Sequence, residues 1–326
     1  MKSFELILYP TEQCNFRCSY CYEDFEVGKM LPEVVDNVKK FINNRLDVVD
    51  HLHLSWFGGE PLIAQDILLD IANHAFQESK KRNKKLTGSF TTNAYHLTVE
   101  LAKQFHEINH NKYQISLDGY QEQHDKTRKL ASGKGTFNKI WTNLINLKDS
   151  DIQFEILLRL HITRENFESM KVLAYEIKDK FIIDYRFKVL VKPIGSWGGN
   201  NKIKDAILSK DEQDNAIDEI LKIIYPNNDR IFTVNNKETK NICYASKPNS
   251  LAIRSQGTIQ KCTVLLSDER NNVGNLTNDG EIFLDSELMK LWMRGLYDKN
   301  YVTLGCPAYN LPKIIKNKID VISINN

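Results

Sequence analysis

Cys14, Cys18 and Cys21 form a C-x3-C-x2-C run, C-N-F-R-C-S-Y-C, just after the apolar segment Phe4–Tyr9. Three thiolates this close on one loop can hold three irons of a cubane [4Fe–4S] cluster. Such clusters ordinarily take four cysteines, so the fourth iron is left open to another ligand. A zinc site, or three unrelated core thiols, would use the same residues. Zinc usually draws paired C-x2-C units with a fourth Cys or His, and no His lies between Cys14 and His51. Farther on, Gly58-Gly59-Glu60-Pro61 combines two glycines, which let backbone approach a ligand, with a carboxylate and a proline that fixes the exit of the chain. The same four residues would also make a plain strand-to-helix turn. Asn93, in Thr91–Ala94, and Ser116, in Ser116–Gly119, are polar groups able to hold a ribose or a carboxylate, or to serve as turn and cap residues. Arg128, in His124–Arg128, could clamp a carboxylate bidentately or form a surface ion pair. Arg159, on an expected central strand, needs a partner if buried.

These residues must be carried by regular elements. Short β-type runs at Phe4–Tyr9, His51–Phe57, Thr87–Thr92, Tyr113–Leu117, Ile152–Leu160 and Tyr185–Val191 alternate with helical patterns. The helices are expected at Pro32–Leu46, Asp66–Lys81, Thr98–His106, Thr136–Leu147, Asn166–Asp179 and Lys210–Ile224, with Pro32 and Asp66 suited to helix starts. Six β-α units in order predict an α/β fold with a parallel sheet and right-handed crossovers; an open doubly wound sheet is the alternative to a barrel. Catalytic groups are then expected at the C-terminal ends of the strands, where the motifs fall. After residue 225 the pattern changes. Pro226–Asp229 reads as a turn or linker, Leu251–Ser255 and Thr258–Cys262 as a hairpin, and Ser286–Leu296 as a helix.

The 326 residues suffice for one large domain and a smaller one. With 41% hydrophobic and 26% charged residues the composition is that of a soluble globular chain. A net charge of +2 gives no reason to expect nucleic acid or an acidic membrane as a partner. The basic run Lys80–Lys85 reads as a solvated helix end. No stretch approaches ~18 consecutive apolar residues, and the N-terminus does not read as a secretory signal. Six cysteines in such a chain point to a reducing cytoplasm and to metal ligation rather than disulfides.

The cysteine run, followed one strand later by G-G-E-P, resembles the signature of radical S-adenosylmethionine (radical SAM, AdoMet) enzymes. That resemblance implies a partial (β/α)6 TIM-type barrel over residues 1–225, and a [4Fe–4S] cluster on Cys14, Cys18 and Cys21 whose open iron takes the amino and carboxylate groups of AdoMet. It implies that Tyr20 lies against the adenine, that Gly58, Gly59, Glu60 and Pro61 meet the methionine ammonium, and that Asn93 and Ser116 contact AdoMet, with Asp118 structural. Arg128 and Arg159 are further cations that could face it. S-L-D-G, H-D-x-x-R and G-x-G-T-F, from Ser116 to Phe137, resemble the stretch found in radical SAM enzymes that modify peptides and proteins, among them anaerobic sulfatase maturases and maturases of ribosomally made peptides.

Cys243, Cys262 and Cys306 make a second set. The text from Cys243 to Cys262, the later V-G-N-L and the L-G-C-P-A-Y around Cys306 resemble a SPASM or shortened Twitch region, implying a small C-terminal auxiliary-cluster domain over 226–326. The full SPASM pattern has cysteines for two auxiliary clusters. Three remain here, which implies one auxiliary [4Fe–4S] cluster with an open or non-Cys fourth ligand; three buried free thiols are the alternative. The implied activity is reductive cleavage of AdoMet to a 5′-deoxyadenosyl radical, followed by hydrogen abstraction from a ribosomally made precursor peptide. The expected product is a thioether or other side-chain cross-link. The alternatives are an anaerobic sulfatase maturase forming formylglycine, and a non-catalytic zinc- or peptide-binding module. An electron donor such as flavodoxin or ferredoxin is the expected partner. With the first strand near residue 4, a leader peptide is expected to be read by a separate protein or by these two domains. Neither a catalytic acid or base nor the bond formed is legible in the residues.

Overall fold

A computed structural model describes residues 2–195, 207–227 and 242–312. The first six strands are β1 (Ser3–Leu8), β2 (His51–Trp56), β3 (Lys85–Thr92), β4 (His110–Leu117), β5 (Glu155–Ile162) and β6 (Phe187–Pro193). They pair in sequence order, all parallel. Between and after them run α1 (Pro32–Val48), α2 (Gln65–Lys81), α3 (Val99–Glu107), α4 (Gln121–Thr127), α5 (Phe137–Lys148), α6 (Phe167–Lys180) and α7 (Lys210–Ile224). The strands alternate strictly. In β5, Ile156, Leu158, Leu160 and Ile162 are buried on the helix side, while Glu155, Leu157, Arg159 and His161 share the other face. In β3, Thr87, Ser89 and Thr91 occupy that same inner face. Helices answer with apolar stripes, as in α1, where Val34, Val35, Val38, Phe41, Ile42 and Leu46 are buried after Pro32 at the first turn. The core therefore lies between sheet and helices, and the concave face of the sheet is left polar. Among the described residues β6 is an edge strand, so the barrel is partial.

The sheet does not stop at β1. β7 (Ser250–Ile253) pairs parallel to β1, with Glu5 opposite Ser250 and Leu8 opposite Ile253. β8 (Thr258–Gln260), β9 (Asn272–Leu276) and β10 (Ile282–Leu284) continue antiparallel to the far edge. α8 (Ser286–Tyr297) and α9 (Tyr301–Gly305) follow. The expected hairpin and helix are present, joined to the core through one continuous sheet, ten-stranded among the described residues. Asn228 and Asp229 of the expected linker lie outside the described residues.

Element ends differ from expectation by a few residues, and two short helices, α4 and α9, were unforeseen. α4 reads Q-E-Q-H-D-K-T, and only His124 is buried, so it carries no apolar period. β6 starts at Phe187 rather than Tyr185 because Arg186 is committed elsewhere: its guanidinium donates to the carbonyls of Lys148, Ser150 and Ile152. The basic run after Lys80 is a helix end, with Arg82 paired to Asp47 and Glu78. Among the described residues no helix is long and apolar enough to cross a membrane.

Candidate active site

The cysteine loop leaves β1 and is held from three sides. Its backbone runs against the segment after α4: Arg17 N–H donates to Lys129 O at 2.8 Å, Ser19 N–H to Thr127 O at 2.9 Å, and Ala131 N–H to Asn15 O at 2.9 Å. That segment is fixed by the motif Asp125…Gly135-Thr136-Phe137. Asp125 Oδ1 accepts from the N–H of Thr136 (2.7 Å) and Phe137 (2.9 Å), capping α5, and a Cβ on Gly135 would stand 2.2 Å from Asp125 Oδ2. The second support is the Gly58–Pro61 turn. A Cβ on Gly58 (φ +107°) would meet Thr11 O at 2.2 Å, and one on Gly59 would meet Gln13 O at 2.3 Å and Glu12 O at 2.8 Å. The two glycines thus allow a close approach of the turn to the cysteine loop itself. Glu60 is equally committed. Its carboxylate, 1% exposed, accepts from Leu62 N–H, Thr92 Oγ1 and Asn93 N–H at 3.0, 2.6 and 2.6 Å. The third support is Glu12, also 1% exposed, which accepts from Arg254 and from Ser255 N–H in the β7–β8 turn.

Above the C-terminal ends of the strands opens a cavity of ≈ 560 Å3 whose wall includes Cys14, Cys18, Cys21, Tyr20, Arg128 and Arg159. Gly58, Gly59, Asn93 and Ser116 line it too, whereas the Glu60 side chain and Pro61 lie behind that wall. Tyr20 Oη donates to Asp118 Oδ1 at 2.9 Å, accepts from Arg128 Nη1 at 2.7 Å and lies 3.2 Å from His161 Nδ1. Asp118 is fully buried and also accepts from Thr127 Oγ1 at 2.8 Å, which is the structural role expected of it. Arg128 is 8% exposed, which removes the surface-ion-pair reading. Asn93 Nδ2 donates to Asn15 Oδ1 at 2.8 Å and stands 3.9 Å from Cys14 Sγ. Ser116 and Arg159 are register partners on β4 and β5, so Arg159 points inward.

The electrostatics are those of a desolvated wall. Burial, then the Glu60 carboxylate, raises the Cys14 thiol well above its ordinary value; burial raises Cys18 against the opposing pull of Arg128 and pushes Cys21 up to about 11. Burial opposes charge on Asp118, but the His161 hydrogen bond and the Arg128 charge outweigh it and hold the carboxyl below the usual range. Arg128 Nε, Arg159 Nε and Glu23 Oε1 are buried without a hydrogen-bond partner, and all three residues line the cavity.

The second cysteine set comes together beside the first. Cys243 N–H donates to Leu304 O at 2.8 Å, and Cys306 closes α9 with its N–H on Val302 O at 3.1 Å. Cys262 follows β8, where Asn271 Oδ1 takes the N–H of both Lys261 and Cys262. Burial raises the thiols of Cys243 and Cys262, with Cys262 and Cys306 close enough to add to the first and Cys306 to the second; none of the six cysteines is in a disulfide. Tyr244, Thr263 and Val264, next to Cys243 and Cys262, line the same cavity as the first triad.

Residues 8–174 match the family model described as the Radical SAM superfamily, about half of the chain. The chain belongs to the radical SAM superfamily. Its relatives include a cysteine-type anaerobic sulfatase-maturating enzyme of Clostridium novyi (strain NT), 32% identical over 48% of this chain and 44% of that one. A GTP 3′,8-cyclase of Clostridium botulinum is 24% identical over 84% of this chain and 85% of its own. The aligned region spans about half the length of the first of these relatives. Among solved structures, histidine-tagged anSMEcpe with bound AdoMet superposes with a TM-score of 0.70 at 19% identity, over 93% of this chain and 87% of that one. Streptococcus suis SuiB bound to precursor peptide SuiA gives 0.55 at 16% identity, over 95% and 71%. Both share the radical SAM fold.

Radical SAM proteins use a [4Fe–4S] cluster and AdoMet, and the residues here suit that pair. Among the described residues no three His, Cys, Asp or Glu side chains converge enough to hold a single ion. A cubane asks for something else, one thiolate on each of three irons, and the loop presents three cysteines to one cavity. The orphaned guanidinium atoms and the free carboxylate oxygen are the donors and acceptor that a zwitterionic ligand requires. Sequence reasoning missed His161, Glu23 and the C-terminal wall at Tyr244 and Thr263. His161 was within reach, two residues after Arg159 and so on the same strand face; the others arrive only through loop folding.

Proposed function

We propose that this chain is a radical SAM enzyme that modifies a ribosomally made peptide, forming a thioether or other side-chain cross-link. The observation that carries this reading is the ≈ 560 Å3 cavity lined both by the first cysteine triad and by residues flanking the second. Cys14, Cys18 and Cys21 would hold the AdoMet cluster. Tyr20, Asn93, Ser116, Arg128 and Arg159, with the backbone of Gly58 to Pro61, would bind AdoMet. Cys243, Cys262 and Cys306 would hold an auxiliary [4Fe–4S] cluster with one position open, within a Twitch-like unit from residue 226 onward. When bound, the cluster and AdoMet together supply a carbon radical able to take hydrogen from an unactivated C–H bond. The chain's own work is positional: Arg128 and Arg159 offer guanidinium groups to a carboxylate, the buried wall excludes water, and Glu12 with Arg254 keeps the two cysteine sets in one frame. A flavodoxin or ferredoxin would deliver the electron, in a reducing cytoplasm, and a separate protein could read the leader.

Anaerobic reconstitution is expected to load about eight irons as two clusters. Cys243→Ala/Cys262→Ala should keep reductive AdoMet cleavage and lose peptide modification, read as 5′-deoxyadenosine and peptide mass. Full modification by that variant would remove the auxiliary cluster from the reading. A sulfatase-derived peptide and GTP belong in the same assay. The 32% identity to a sulfatase maturase favours the first as a second reading, and the near end-to-end alignment with GTP 3′,8-cyclase brings in the other.

A further inference from the structure

The concave face below the cavity holds a chain of hydrogen bonds that the site above does not use. His51 Nε2 lies 2.8 Å from Thr87 Oγ1, Thr87 Oγ1 2.7 Å from His53 Nδ1, and His53 Nε2 2.9 Å from Ser89 Oγ. Ser89 Oγ lies 3.3 Å from Ser55 Oγ, which donates to Glu5 Oε1 at 2.9 Å. Glu5, Ser55 and Ser89 line the cavity floor. His51 opens β2 at the opposite, N-terminal end of the strands and is only half-buried.

Counting protons orients every link. A carboxylate only accepts, so Ser55 spends its one O–H on Glu5. Ser89 must then donate to Ser55, and His53 Nε2–H to Ser89. Burial lowers the pKa of His53, with His51 and Lys112 in the same direction and Glu5 opposing, so the ring is neutral and carries one N–H. Its Nδ1 therefore accepts from Thr87, which accepts in turn from His51 Nε2–H. Burial and Lys85 keep His51 neutral as well. Every donor is used once and all point the same way. With the hydroxyl rotors turned and both imidazole tautomers exchanged, the same links carry a proton in the other direction.

We propose that Glu5, Ser55, Ser89, His53, Thr87 and His51 form a proton relay joining the cavity floor to solvent at the far end of the barrel. The relay rests on the peptide-modifying reading. Joining two substrate atoms that each carry a hydrogen removes two hydrogens. One leaves as an atom; the other leaves as a proton, its electron passing to a one-electron acceptor of the iron–sulfur class. The proton is taken by Glu5; once the hydroxyls have turned and both imidazoles have exchanged tautomers, its equivalent leaves at His51 without opening the cavity to water. These are positioning and transfer residues rather than ligands of AdoMet.

Two measurements test it. In the apoprotein, nitrogen-15 histidine spectra at neutral pH should show His51 and His53 as Nε2–H tautomers; an Nδ1–H ring or a tautomer mixture at His53 overturns the ordered chain, whatever the enzyme's activity. In the reconstituted protein, His53→Gln keeps hydrogen-bonding atoms but cannot pass a proton through. Its peptide modification should slow by about tenfold or more, with a larger solvent deuterium isotope effect, while AdoMet affinity and melting temperature match the parent. Thr87→Val should fall by the same factor and the double variant no further. Parent-like rate and isotope effect in His53→Gln overturn the relay and leave the function standing. Absence of any peptide modification in the parent removes the function, and the tautomer measurement then decides the chain.

Discussion

A carboxylate with no exposed surface can be more informative than an exposed one. Glu60, buried with three donors on its two oxygens, ties the end of β2 to the end of β3, and Gly59 presses the same turn onto the cysteine loop. Both residues thus have a structural task in holding the cysteine loop. Gly59→Ala is therefore expected to destabilise the apoprotein by about 1–3 kcal/mol and to lower the iron bound after reconstitution. Denaturant unfolding and iron analysis check this. A variant with the parent's midpoint but weakened AdoMet binding would return the glycine to the ligand.

At the scale of elements, the H-D-x-x-R and G-x-G-T-F pieces act as one clamp. Asp125 caps α5, Gly135 gives it room, and His124 reaches Thr136 Oγ1 at 3.2 Å. The strand-like segment between them carries the cysteine loop. Asp125→Ala should cost about 1–2 kcal/mol for the lost cap. Gly135→Ala should cost a similar amount, and the double variant less than the sum because both act on one contact. Thermal melts of the three variants decide it; strict additivity would mean that the two residues are independent. The same distinction explains α4. A helix of polar residues that exists to place a clamp leaves no periodic trace in the sequence.

For the whole molecule, the consequential contact is Arg254 with Glu12. It crosses from the C-terminal hairpin to the cysteine loop, with 11% and 1% of the side chains exposed. Arg254→Met would strand a buried carboxylate and is expected to cost about 3–5 kcal/mol. Glu12→Gln in the same chain should recover part of that loss. Equilibrium unfolding of the single and double variants is the check; no loss in Arg254→Met would mean that the hairpin and the loop are coupled only through the β1–β7 ladder.

Residue order alone was enough to identify the cysteine loop, the six β-α units and the second cysteine set, because each is local: ligand spacing, strand alternation and helical period are written within a few residues of one another. What only the folded chain decided is which atoms meet. The pairing of β7 with β1, the clamp beneath Cys18, the inward turn of Arg159 and the file of hydroxyls and imidazoles from Glu5 to His51 all join residues on different strands and loops. Such contacts depend on register between neighbouring strands and on the desolvation that closure imposes, and neither is encoded within one segment.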